Sequence, residues 1–217
     1  MKKTEDHRPD RQVVSRRAIL QGLTGAGLVL SLGPTFSRDR TQVADAAAPG
    51  TIVFSWVANG VPESFASLQQ HAGAITQLSP TWYSMKADLS ITGTTDRLVI
   101  DFAKAHGISL HPLIRNDRFD PAVAKAILAT PKRRAKAAER ITALVVNNDF
   151  DGVNLDFEGP FGTSRDEYTD LVERLSRRFS GEGKSISVDV VPQLVDVSAI
   201  PVTSWASPYD YSRLETV

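Results

Sequence analysis

The sequence predicts an α/β fold in which parallel strands alternate with helices that cover the sheet. Short apolar, β-branched runs alternate with segments of helical periodicity between residues 51 and 214. Glycine and proline separate these segments at several points. The chain is also 41% hydrophobic, an ordinary value for a globular protein.

Five segments read as strands because they are short, apolar and rich in β-branched or aromatic residues. Thr51–Val57 reads TIVFSWV, and Ile75–Ser84 is a second run that a proline interrupts. Ile108–Ile114 reads ISLHPLI and Val153–Phe157 reads VNLDF. Ile186–Val191 reads ISVDVV and is the fifth predicted strand.

Four segments between these strands are predicted to be helices. Asp96–His106 places apolar residues on one face and is followed by a glycine stop. Pro121–Leu128 is a short helix and Lys132–Asn147 a longer one with an apolar stripe. Arg165–Phe179 follows the 3.6-residue period most clearly.

This alternation fits either a doubly wound sheet or part of a (β/α)8 barrel. No glycine-rich phosphate-binding loop follows the first strand, which disfavours a nucleotide-binding fold.

The composition excludes several classes of function. The chain has no cysteine, which excludes a thiolate metal site, and its four histidines lack the spacing of a histidine metal site. We therefore predict that no metal is bound. A formal net charge of zero argues against a nucleic-acid binder.

Residues 1–46 are predicted to be an export signal. They hold eight Lys/Arg and five Asp/Glu, with an Arg16-Arg17 pair before an apolar run that is too short to span a bilayer. Ala44-Asp45-Ala46 then supplies a small-x-small cleavage site. The order of these features resembles a twin-arginine signal, whose partner is the twin-arginine export machinery. We expect a secreted or cell-wall protein with no stable membrane span after cleavage.

The segment 149–160 concentrates the polar groups of one predicted strand. Side chains alternate along a strand, so Val153, Leu155 and Phe157 face one way. Asn154, Asp156 and Glu158 face the other way, where burial would cost free energy unless the groups have a function. Two carboxylates about 7 Å apart along a strand can raise the proton affinity of one of them.

Residues 151–158, Asp-Gly-Val-Asn-Leu-Asp-Phe-Glu, resemble the DxxDxDxE signature of family 18 glycoside hydrolases. These are chitinase-like (β/α)8 barrels with the signature on strand four, in which Asp151 and Gly152 open the motif. Asn154 stands where the chitinase form of the motif has aspartate. The motif of this chain is most similar to that of the spore-cortex-lytic, peptidoglycan-acting branch.

The resemblance implies a mechanism that needs no metal or cofactor. Glu158 would protonate the glycosidic oxygen and later act as general base. The substrate's acetamido oxygen would attack the anomeric carbon, and Asp156 would orient that group. Asn154 could hydrogen-bond Asp156. The substrate would be a polysaccharide containing N-acetylglucosamine, either chitin or peptidoglycan.

Four further residues are candidates for sugar binding because they follow or end predicted strands, where barrel loops line a site. They are Trp82, Tyr83, Asn116 and Gln193. Residues 47–217 are predicted to hold about the first five β/α units of a barrel of the (β/α)8 type, shorter than the roughly 250 residues of a complete one. A non-catalytic carbohydrate-binding barrel and an inactive truncated fragment therefore remain alternatives.

The export prediction can be tested by replacing Arg16 and Arg17 with lysine. The exchange should abolish translocation, because the export receptor reads the guanidinium pair, and the mature N-terminus of the parent should fall near Ala47. Secretion and N-terminal sequencing measure both. Continued secretion of the Lys-Lys variant would contradict the prediction.

Overall fold

The computed structural model describes residues 51–193 and 195–217. The predicted signal peptide, residues 1–46, lies outside this range and stays a prediction. No helix in the two described stretches is both long and apolar enough to cross a membrane.

Eight strands and six helices of four or more residues alternate through the described residues. The strands are β1 Phe54–Val57, β2 Gln77–Pro80, β3 Tyr83–Met85, β4 Ile91–Gly93, β5 Ser109–Leu110, β6 Leu113–Asn116, β7 Gly152–Asp156 and β8 Ser185–Val188. The helices are α1 Pro62–His71, α2 Arg97–Ala105, α3 Pro121–Leu128, α4 Pro131–Asn147, α5 Arg165–Glu182 and α6 Tyr211–Leu214.

The strands pair in parallel and in chain order. One ladder joins β1, β2 and β5, and the other joins β3, β6, β7 and β8, with β4 added antiparallel to β3. Two short breaks divide longer strands, at 81–82 between β2 and β3 and at 111–112 between β5 and β6. Pro112 has no N–H to donate, which accounts for the second break.

This topology confirms the predicted α/β fold with parallel strands. Five strand positions follow one another in chain order, as in a (β/α)8 barrel, whereas a doubly wound sheet reverses its order at a switch point. Within the described ranges no pairing joins β8 to β1, so the barrel is not closed there.

The outer face of β7 packs into the core. Val153, Leu155 and Phe157 are completely buried, as the alternation predicted. They share one apolar cluster with residues of α4 and α5: Ile141, Val145, Leu171, Val172 and Leu175. Burying a Val, Leu or Phe side chain contributes about 1.5–3 kcal/mol, so this face anchors the strand on its helices.

Four of the described helices begin at polar caps, and three of these caps precede helices of eight or more residues. The side chain of Asp96 accepts a hydrogen bond from the N–H of Leu98 at the start of α2. Asp120 and Thr130 do the same for α3 and α4, each directly before a proline. A side-chain cap satisfies a backbone N–H that the helix leaves without a partner, and proline fits the first helical position.

Asp151 and Gly152 fix the start of β7 against its neighbours. One carboxylate oxygen of Asp151 accepts a 2.7 Å hydrogen bond from the N–H of Leu110. Gly152 lies so close to the next strand that an added Cβ would come within 2.1 Å of the Ser185 carbonyl oxygen and 2.6 Å of His111 Nδ1. The two residues that open the motif therefore have a structural role.

Replacing Gly152 with alanine should destabilise the protein by about 1–3 kcal/mol, because backbone on one side and a buried histidine on the other block the new methyl group. Gly181→Ala is the matched control. Gly181 lies in α5 with nothing within 4 Å of an added Cβ, so alanine there should raise stability. Denaturant unfolding measures both, and a Gly152→Ala midpoint equal to the parent's would contradict this packing.

Candidate active site

Asn154 lies at the centre of a buried polar network on the inner face of the sheet. Its Oδ1 accepts hydrogen bonds from Trp56 Nε1 on β1 (3.3 Å) and Ser79 Oγ on β2 (3.1 Å). Its Nδ2 donates to Ser187 Oγ on β8 and to Asp189 Oδ1, each at 3.1 Å. Asn154 and Ser79 are fully buried, so one amide connects four strands.

Asp156 lies two residues further along the same face and is also fully buried. The pairing register places it beside Arg115 on β6, which in turn stands beside Ser84 on β3. On the other side, the N–H of Asp189 donates to the Leu155 carbonyl, directly after β8. Ser84, Arg115, Asp156 and Asp189 therefore form one inward row at the carboxyl end of the sheet.

Asn116 holds the backbone of Glu158. Its Oδ1 accepts from the Glu158 N–H at 2.9 Å, and its Nδ2 donates to the Glu158 carbonyl oxygen at 3.0 Å. The same nitrogen donates to the Asp120 carbonyl. Asn116 is completely buried and positions the backbone of Glu158, while its predicted sugar-binding role stays a prediction.

Glu158 is the most accessible of the three motif side chains that were predicted to face inward. It is half-buried and lies two residues past the end of β7, whereas Asn154 and Asp156 are fully buried. Gly159 follows with a φ of 124°, a backbone conformation that favours glycine. The chain thus turns away directly after Glu158 and leaves that carboxylate at the rim of the sheet.

Two buried tyrosines stand close to these acids. The Tyr209 hydroxyl donates to the Phe157 carbonyl oxygen at 2.9 Å, and its ring packs edge-on against Tyr168. Burial, followed by the negative charges of Glu158, Asp156 and Asp189, raises the pKa of Tyr209 well above its ordinary value. Tyr209 therefore stays protonated and remains a donor that ties the segment after β8 to the end of β7.

Gln193 holds that same segment in place. Its Nε2 donates to the carbonyl oxygens of Ala206 (3.0 Å) and Tyr209 (2.9 Å). The amide nitrogen thus supports the backbone of Tyr209. The sugar-binding role predicted for Gln193 stays a prediction.

Trp82 and Tyr83 are also predicted to bind sugar, and this stays a prediction. Their side chains are 4% and 5% exposed and pack with Phe150 in the core. The Tyr83 hydroxyl lies 3.0 Å from Thr95 Oγ1. Both residues fall around the break between β2 and β3, so they do not end their strand at the rim.

Several polar groups around the motif were missed by the sequence analysis. They are Trp56, Ser79 and Ser187, which lie within strands. Only their hydrogen bonds show that their side chains point toward Asn154. In the described part of the chain, no group of three His, Cys, Asp or Glu side chains is arranged to hold a metal ion.

Comparison with known proteins gives a partial family match. Residues 115–215 match the model of glycosyl hydrolases family 18. A curated relative, "Uncharacterized glycosylase YvbX" of Bacillus subtilis (strain 168), is 19% identical over 160 residues, which cover 71% of this chain and 46% of that protein. The chain thus spans about half the length of this relative.

Solved structures show the same fold. A chitinase from Chromobacterium violaceum ATCC 12472 superposes with a TM-score of 0.67 at 19% identity, covering 76% of this chain and 52% of that one. The spore cortex-lytic enzyme SleL of Bacillus megaterium QM B1551 gives 0.68 at 18% identity, covering 76% and 39%. At these identities the likeness shows the fold.

Proposed function

We propose that this protein is a glycoside hydrolase that cleaves β-linked, N-acetylglucosamine-containing polysaccharide. The observation that supports it most is the arrangement at the end of β7, where Asp156 is buried and Glu158 lies at the rim with its backbone fixed by Asn116. The match of residues 115–215 to glycosyl hydrolases family 18 includes this segment.

In the proposed reaction Glu158 is the general acid. Its carboxyl group donates a proton to the glycosidic oxygen as the bond to the anomeric carbon breaks. The acetamido oxygen of the sugar attacks that carbon from the other face, so the substrate supplies the nucleophile. Water then opens the cyclic intermediate, with Glu158 as general base, and the anomeric configuration is retained.

Asp156 would act on the acetamido group in this reaction. A carboxylate that accepts a hydrogen bond from the acetamido N–H holds the carbonyl oxygen toward the anomeric carbon. It also offsets the positive charge that develops on the intermediate. The role proposed for Asn154 is to hold the inner face together below Asp156, since its amide contacts Trp56, Ser79, Ser187 and Asp189.

The proposal extends to the branch of the glycosidase family and to the cellular location of the enzyme. The sequence Gly-Val-Asn-x-Asp-Phe-Glu at residues 152–158 favours the spore-cortex-lytic, peptidoglycan-acting branch over chitinases. We also propose that residues 1–46 direct export by the twin-arginine route, which would place the enzyme outside the cytoplasm, where such polymers occur.

Glu158→Gln should lower turnover of chitooligosaccharide or peptidoglycan by at least ~10²-fold, the low end of what a positioned general acid contributes. The amide has the same shape but cannot deliver the proton, so sugar binding should persist. Asp156→Asn should also lower turnover, through loss of acetamido orientation. Turnover is measured as product release from defined oligosaccharides, and sugar binding is measured separately by calorimetry.

Glu182→Gln is the matched control, because Glu182 is an exposed glutamate at the end of α5. It should hydrolyse at the parent rate. Parent-level hydrolysis by Glu158→Gln would show that the catalytic assignment is wrong. A parent protein that binds the sugars and hydrolyses none would instead identify a carbohydrate-binding barrel.

A further inference from the structure

Arg115 is an exposed arginine on the inner face of the sheet. It belongs to β6, where Leu113, Ile114 and Asn116 are buried. Register places it opposite Asp156 on β7, and paired residues of neighbouring strands point to the same face. Arg115 lies just beyond the predicted strand, which ends at Ile114, so its place on the inner face is seen only in the structure.

The local structure holds the Arg115 side chain at the rim. Its Nε donates a 3.2 Å hydrogen bond to Ser84 Oγ on the neighbouring strand. Its guanidinium carbon lies 5.2 Å from the centre of the Phe119 ring, a distance typical of a cation–π contact. Arg118 and Phe119 have φ values of 56° and 55°, so a turn in an uncommon backbone conformation supplies that ring.

These contacts orient the guanidinium. Its Nε already donates to Ser84. The two terminal nitrogens can therefore donate two parallel hydrogen bonds to the two oxygens of a carboxylate. The register and the strand spacing of about 4.8 Å place the backbone of Arg115 next to that of Asp156. Asn116, the next residue, holds the backbone of Glu158.

The charges at this rim suggest what the arginine binds. Asp156, Glu158 and Asp189 are acids that lie close enough together to act on the same tyrosine, Tyr209. Such a group of carboxylates favours a neutral sugar and repels an anionic one. A fixed arginine on the same face offsets that repulsion locally. A sugar can then bind if its carboxylate lies beside the guanidinium.

We propose that Arg115 is a specificity-determining residue that binds a carboxylate on the sugar chain. The inference rests on the proposed function and narrows it to polymers in which N-acetylglucosamine alternates with a carboxylate-bearing sugar. The carboxylate can belong to a lactyl ether, as in N-acetylmuramic acid, or to a uronic acid. Unmodified chitin has neither group.

The test compares Arg115→Gln with the parent full-length protein on charged and uncharged forms of one polymer. Peptide-free peptidoglycan strands carry lactyl carboxylates, and a polymer of N-acetylglucosamine and glucuronate carries ring carboxylates. Each is used as such and after reduction of its carboxyl groups to alcohols. The measured quantity is the ratio of kcat/KM for the charged over the reduced form.

We expect the parent to prefer one charged polymer, which identifies the source of the carboxylate. Arg115→Gln should lower that ratio by at least ~10-fold, as loss of a charge-assisted bidentate contact implies. Arg115→Lys, which keeps the charge without the fork, should retain part of it. Arg118→Gln is the matched control, because Arg118 is 86% exposed and pairs with Asp117, and it should leave the ratio unchanged.

Two outcomes would overturn the inference. If Arg115→Gln lowered kcat/KM equally for the charged and the reduced polymer, Arg115 would only balance the charges of the acids around it. A parent ratio of one would mean that no carboxylate is recognised. If the parent hydrolyses neither form, the proposed function fails by itself. Calorimetric binding of both forms by Glu158→Gln, with and without Arg115→Gln, then tests Arg115 separately.

Discussion

The buried amide of Asn154 is the constraint on which the geometry of the site depends. It lies out of contact with water, and it meets Trp56 on β1, Ser79 on β2, and Ser187 and Asp189 on and directly after β8. Leaving one buried polar group without a partner costs about 1–3 kcal/mol. A slip of any strand by one residue would turn its side chains to the other face and break these bonds. The network therefore fixes the register that places Asp156 on the buried inner face and Glu158 at the rim.

The two faces of β7 hold different kinds of side chain. Val153, Leu155 and Phe157 secure the strand in the core, while the opposite face holds polar groups that are costly to bury. The segment after β8 is fastened to this strand by Tyr209, whose hydroxyl donates to the Phe157 carbonyl, and Gln193 supports that segment in turn. Two neutral hydrogen-bond donors thus hold this segment against the end of β7.

Sequence patterns predicted the elements with strong periodicity and missed those defined by three-dimensional pairing. α5 and β7 were predicted nearly to their bounds, because their apolar positions repeat at 3.6 and 2 residues. The short helix α1 and the edge strand β4 were missed. A strand end in the sequence does not reveal a break within the strand, so the burial of Trp82 and Tyr83 in the core was not predicted. Only the structure shows that Asn116 holds the Glu158 backbone.

The most direct measurement of the central claim is the anomeric configuration of the first product. Proton NMR can follow an N-acetylglucosamine oligosaccharide during the first minutes of hydrolysis, before the sugar mutarotates. If Glu158 is the acid and the substrate's acetamido oxygen is the nucleophile, two displacements occur and the β-anomer appears first. Initial release of the α-anomer would mean that water attacks directly, and it would contradict the mechanism assigned to the row of acids at the end of β7.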